Sequence, residues 1–131
     1  RMPFLKAYLG TIASFVLVEA IWISLFVRHM YQEIMGPMLL ETPNYLAAGL
    51  FYLGYAAGVV VLAVLPALTS RNAKTALING AVLGAVAYGT FALTNYSVFK
   101  GWTTGLVFSD ILWGTFLTAL SAGCGYLFAR D

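Results

Sequence analysis

Charged side chains are what this chain has least of. Asp, Glu, Lys and Arg make up 9% of its 131 residues and hydrophobic residues 61%, with a mean hydropathy of +0.86. Soluble domains carry roughly 25% charged residues, so no water-facing surface can be assembled from this composition. The seven Lys/Arg and five Asp/Glu leave a net +2 without any basic run. That excludes the clustered basic face of a nucleic-acid binder. Cys124 is the only cysteine, so neither an intrachain disulfide nor a cysteine-based metal site can form. His29 is the only histidine. By itself it cannot complete a zinc or di-iron ligand set, nor hold haem between two histidines. Lys6, Lys74 and Lys100 fall at the ends of apolar runs, which leaves no mid-span lysine for a retinal Schiff base. Ser14, Ser24, Ser109 and Ser121 have no histidine base beside them, so nucleophilic hydrolysis lacks its activator. No metal and no cofactor is expected, although residue types alone leave room for a pigment ligated by Glu19 or an Asn. The balance leans against an enzyme.

What is present is apolar length. Crossing the hydrocarbon core takes about 20 predominantly apolar residues, and the runs over 7–27, 45–65, 75–96 and 105–128 qualify. The fold class is therefore all-α: a single domain over 1–131, an integral membrane four-helix bundle. The first run is not a secretory signal. It exceeds an h-region of roughly 7–15 residues, contains Glu19, and continues into "VRHMYQ" without a small-residue cleavage site. Pro66 is expected to stop the second helix.

Direction follows from the short loops. Arg1, Lys6, Arg71, Lys74 and Arg130 fall on one side, and Arg28 and Lys100, with Glu33 and Glu41, on the other. Lys and Arg mark the cytoplasmic side, so both termini and the "TSRNAK" loop are expected there. The membrane would be a bacterial inner membrane or an organellar one of bacterial descent. Tyr8, Tyr31, Tyr45, Tyr96, Trp102 and Tyr126 lie near span ends, where an aromatic belt belongs. The far-side connection 28–44, "RHMYQEIMGPMLLETPN", spaces Met30, Ile34, Met38 and Leu39 almost helically around Gly36-Pro37. It reads either as an interfacial helix or as a loop tucked against the bundle.

Lipid tails are as apolar as leucine, so hydrophobicity alone cannot press spans together; close backbone packing and internal polar contacts must. Gly54 and Gly58 in the second run, and Gly80 and Gly84 in the third, are G-x-x-x-G pairs. The short loop between these runs makes their mutual pairing the default, with an oligomer or a larger partner as the alternative.

The most informative residues are two acids inside apolar runs, Glu19 and Asp110, each three positions before a tryptophan, Trp22 and Trp113. Residues three apart share a helix face. At 1.5 Å per residue, Glu19 and Trp113 both lie about 12 Å below the far-side surface, and Trp22 and Asp110 both about 8 Å. Each carboxyl is therefore expected to accept from the indole of the opposite helix, since indole only donates. Tyr52 and Tyr55 from the second run, and Tyr88, Thr90, Thr94 and Asn95 from the third, are expected to complete a buried polar layer. Ionisable groups at this depth are expensive and point to function by default. As protonated acids they would only tie helices together. A ligand or lipid head-group site comes next, and proton handling last, for want of a buried counter-charge.

At these residues the chain resembles a widespread group of small bacterial membrane proteins with four predicted spans, catalogued as a domain of unknown function. The matching segments are "VEAIWI", "PNYLAAGLFYLGYAAGVVVLAVLPAL", "AYGTFALTNYSV" followed by "KGW", and "SDILWGTFLTALSAGCGYL". The resemblance implies the four-helix topology and no established activity. It places the group's polar positions at Glu19, Trp22, Thr94, Asn95, Asp110 and Trp113. The group commonly has Asp where this chain has Glu19, and an acid where it has Ala92. Losing that second carboxyl weakens any shared catalytic or proton-linked role and leaves packing untouched. The expected function is a non-catalytic accessory or assembly subunit, in contact with membrane lipids and with other membrane subunits or further copies of itself. A lipid- or fatty-acyl-handling protein using Glu19 and Asp110 is the alternative, and a small transporter formed by oligomerisation the third.

Overall fold

The computed structural model describes residues 2–27 and 45–130. The connection 28–44, with the interfacial helix or loop expected there, lies outside the described residues. Helix α1 (Met2–Trp22) ends in a π-helical turn, Ile23–Val27; α2 (Tyr45–Val59) passes through a π-helical segment, Val60–Val64, into α3 (Leu65–Ser70); α4 (Ala73–Val98) and α5 (Thr104–Ala129) follow. Among the described residues four helices are long and apolar enough to cross a membrane: Phe4–Leu25, Tyr45–Ser70, Ala73–Val98 and Thr104–Ala129. These are the first to fourth spans, and no strand occurs among the described residues.

Local chemistry sets the ends. Arg71 adopts the left-handed conformation (φ 55°) and its N–H closes α3 onto the Ala67 carbonyl. The next residue, Asn72, accepts from the Lys74 N–H at 3.0 Å and starts α4. Side-chain oxygens at this position satisfy one of the N–H groups a helix start leaves unpaired. Thr103 does the same for α5, accepting from Leu106 N–H at 3.1 Å.

Pro66 does not stop the second span, as the sequence suggested; the helix runs on to Ser70. Proline inside a helix deprives the carbonyl four residues earlier of its donor. That carbonyl belongs to Leu62, and the Asn79 side chain, from the third span, donates to it at 3.1 Å. The π-helical segment just before Pro66 takes up the remaining misfit, as local π adjustments in membrane helices do.

The third and fourth spans make the broadest helix pairing, followed by the first and fourth. This corrects the expected pairing of the glycine motifs. Gly80 and Gly84 pack on the fourth span, not the second: a Cβ at Gly80 would meet the Thr118 carbonyl at 2.9 Å, and one at Gly84 would strike the Gly114 carbonyl. Gly54 and Gly58 meet nothing within 4 Å. The reason is steric. The α4–α5 crossing brings backbone against backbone, which only residues without a Cβ allow. On the other flank of α5, Gly10 lies against Gly125 and Phe128, so both ends of the described chain sit at the same end of the bundle.

The interior is built from small residues. Ala7, Ala56, Ala63, Ala67, Ala76 and Ala122 are fully or almost fully buried, alongside Val59, Val60, Val64 and Leu117. The outside is large and apolar: Ile78, Val82 and Val86, four residues apart on α4, are each about 60% exposed. A soluble monomer rarely exposes so continuous an apolar surface; lipid is its natural solvent.

Candidate functional site

The end of the bundle remote from the termini holds a cavity of about 470 Å³. Its walls come from all four spans. Glu19, Trp22 and Ile23 contribute from the first, and Ala48, Phe51 and Tyr52 from the second. The third supplies Ala87, Tyr88 and Phe91, and the fourth Asp110 and Trp113. The size falls in the ~300–1,000 Å³ range of small-molecule sites.

Across the cavity wall the Trp113 indole donates to Glu19 Oε1 at 2.7 Å, linking the fourth span to the first. Tyr88 and Asp110 line the cavity beside the same carboxyl. Trp22 and Trp113 stack face to face, centroids 4.3 Å apart and 10° from parallel. The antiparallel register places the two tryptophans about 4 Å apart in depth, close enough for one indole to stack on the other. Asp110 is buried, 9% exposed. Gly114 makes room for this arrangement, because a Cβ there would strike the Tyr88 ring.

The other expected members of the polar layer divide. Tyr52 lines the cavity. Tyr55 sits behind it, its hydroxyl sharing a 2.8 Å hydrogen bond with Thr118 Oγ1 and its ring 5.3 Å from Phe15. Thr94 and Thr90 are exposed on the outer surface and Asn95 is half-buried; none of the three lines the cavity. Helical geometry explains this. At about 100° per residue, Thr90 and Thr94 are turned about 160° and 120° from the Tyr88 face, while Asn95 shares that face but lies about 10 Å further along. Thr90 instead returns its hydroxyl to the Val86 carbonyl at 2.7 Å, a habit of hydroxyls inside apolar helices.

Sequence reasoning missed three residues deeper in the bundle. Thr11, Thr118 and Ser121 are fully buried, and Thr11 Oγ1 and Ser121 Oγ have no hydrogen-bond partner among the described residues. Their one sequence signal is a hydroxyl residue near a glycine in the same or the facing run. Ala48, Ala87 and Phe91 carry no polar mark and become wall residues only through the helix crossings. Among the described residues no group of three or more His, Cys, Asp or Glu could hold a metal ion.

No curated protein and no solved structure matches the chain. The model of one family does match, over residues 4–127, which is nearly the whole chain. The four apolar helices agree with that family's description, and the chain belongs to it: "Predicted membrane protein (DUF2177)".

Proposed function

We propose that the protein holds an amphiphilic small molecule of lipid type in the cavity at the end of the bundle remote from its termini. The single observation that carries this reading is the cavity itself, about 470 Å³, walled by aromatic side chains and by Glu19 and Asp110. A bundle that needed its acids only as ties could close around them. Apolar walls with a few converging polar groups are the usual make-up of a ligand site. The Lys/Arg count supports pointing the other end, with the termini, toward the cytoplasm of a bacterial inner membrane or its organellar descendant. Native mass spectrometry of the maltoside-extracted protein tests the reading. A co-purified amphiphile should leave with the wild-type protein and be lost in Ala87→Phe, whose ring would occupy the cavity. Bare wild-type protein, or an Ala87→Phe variant carrying the same cargo, would refute it.

A second reading, an accessory or assembly subunit, is favoured by the second span. Gly54 and Gly58 face open space, and small residues there allow another membrane helix to approach closely. Native gel analysis after gentle extraction tests it: migration only as a small free species removes it.

A further inference from the structure

We infer that the head of the cavity's occupant is a flat conjugated ring bearing oxygen, of the quinone or phenol class, so that the site selects such rings over saturated heads. This rests on the amphiphile reading above and adds the chemistry of the head. Six of the eleven described residues lining the cavity are aromatic: Trp22, Phe51, Tyr52, Tyr88, Phe91 and Trp113. Each of the four spans contributes at least one. In the buried apolar cluster nearer the termini only Tyr126 among ten residues is aromatic, and Ala and Val make up the rest. The bundle therefore packs its helices with small aliphatic residues and gathers its rings at the cavity.

Membrane depth does not account for this concentration. Tryptophan and tyrosine collect at the interface as a belt, but Phe51 and Phe91 lie about 9 and 10 Å inside the far-side ends of their helices, Tyr45 and Val98. Both are about half exposed, and toward lipid an aliphatic side chain would serve equally well. What a wall of rings offers beyond apolar area is contact with another ring, because offset-stacked and edge-to-face pairs add to simple burial. The wall already uses both geometries: Trp22 stacks on Trp113, and Tyr88 meets Tyr55 edge-on. A saturated chain or ring gains nothing from these π faces, whereas a conjugated ring does. Oxygen on that ring is matched by the polar groups set among the aromatics. Tyr52 and Tyr88 carry hydroxyls, and Glu19 and Asp110 carboxyls; a hydroxyl donates or accepts, and a carboxyl accepts in either protonation state. The ring contacts do not depend on the charge of these acids.

Two sources present this chemistry: a membrane quinone, whose carbonyls accept from tyrosine hydroxyls, and a lipid phenol, whose hydroxyl donates to a carboxyl. Isothermal titration of the protein in dodecyl maltoside micelles separates them with three probes sharing a nonyl tail: trimethyl-nonyl-1,4-benzoquinone, 4-nonylphenol and 4-nonylcyclohexanol. The last carries the hydroxyl and tail of the phenol on a saturated ring. At least one planar probe should bind about fivefold or more tightly than 4-nonylcyclohexanol. Tighter binding of the benzoquinone would assign the occupant to the quinones, and tighter binding of 4-nonylphenol to the phenols. The double variant Phe51→Leu/Phe91→Leu exchanges two of the six wall rings for aliphatic bulk at half-exposed positions. It should bind 4-nonylcyclohexanol nearly as before and lose about half or more of the planar preference. A margin below about fivefold for both planar probes, or a folded double variant with the full wild-type preference, would overturn the inference and leave the cavity reading standing. No binding by any probe would end both. The wild-type ranking decides the matter even if the double variant fails to fold.

Discussion

The bond from Asn79 to the Leu62 carbonyl gives the sharpest test of how this bundle holds together. Leu62 lies eight residues from the end of the second span, about 12 Å deep, and its side chain is 54% exposed to the surroundings, so no water stands by to replace a lost donor. Pro66 removes the backbone N–H that would serve this carbonyl in a regular helix, and Asn79 supplies the substitute at 3.1 Å. Asn79→Leu should therefore destabilise the bundle. Hydrogen bonds between membrane helices average about 0.6 kcal/mol and reach about 1.7; a carbonyl that proline deprives of its α-helical donor belongs at the upper end, about 1–2 kcal/mol. Pro66→Ala restores a backbone donor at the right position, so in that background the same Asn79→Leu change should cost less than about 0.5 kcal/mol. The assay is a double-mutant cycle on reversible unfolding in mixed dodecyl sulfate and maltoside micelles, followed by circular dichroism. The coupling should exceed about 0.5 kcal/mol, the level at which neighbouring sites cease to be additive. Strict additivity would mean that the proline and the asparagine act independently, and the argument would fail.

Four further outcomes follow from the same geometry. Gly84→Ala should loosen the α4–α5 pairing by about 1–3 kcal/mol, the usual penalty of overpacking, because its methyl would strike the Gly114 carbonyl; an unchanged unfolding midpoint would contradict this. Gly54→Leu, at a position where a Cβ would meet nothing within 4 Å, should leave the isolated chain's stability within about 0.5 kcal/mol and abolish any larger complex on a native gel. Glu19→Leu should cost about 1–2 kcal/mol by stranding the Trp113 N–H, while Glu19→Gln, which still offers an oxygen, should cost markedly less in the same dodecyl sulfate titration. By the register argument Asp110→Leu should also destabilise; both leucine variants unfolding at the wild-type midpoint would refute a structural role for the acids.

The sequence by itself determined the solvent and the architecture. Scarce charge and four apolar runs of sufficient length leave only helices, because a backbone in lipid must satisfy its own hydrogen bonds. It also located the Glu19–Trp113 meeting, since depth along two antiparallel helices depends only on rise per residue. Rotation and partner choice were a different matter. Thr90 and Thr94 have the right depth and the wrong azimuth. Gly80 and Gly84 were legible as a packing motif, but that their partner is the fourth span depended on where a backbone without Cβ atoms could approach, which a motif repeated in several runs does not specify. Pro66 read as a stop because its rescue comes from Asn79, thirteen positions later on another helix. The cavity is the extreme case: alanines and aromatics unremarkable in the chain enclose a space only because four helices cross where they do. Depth is a one-dimensional property that a sequence carries, whereas a void and its walls exist only once side chains from separate helices occupy the same three dimensions.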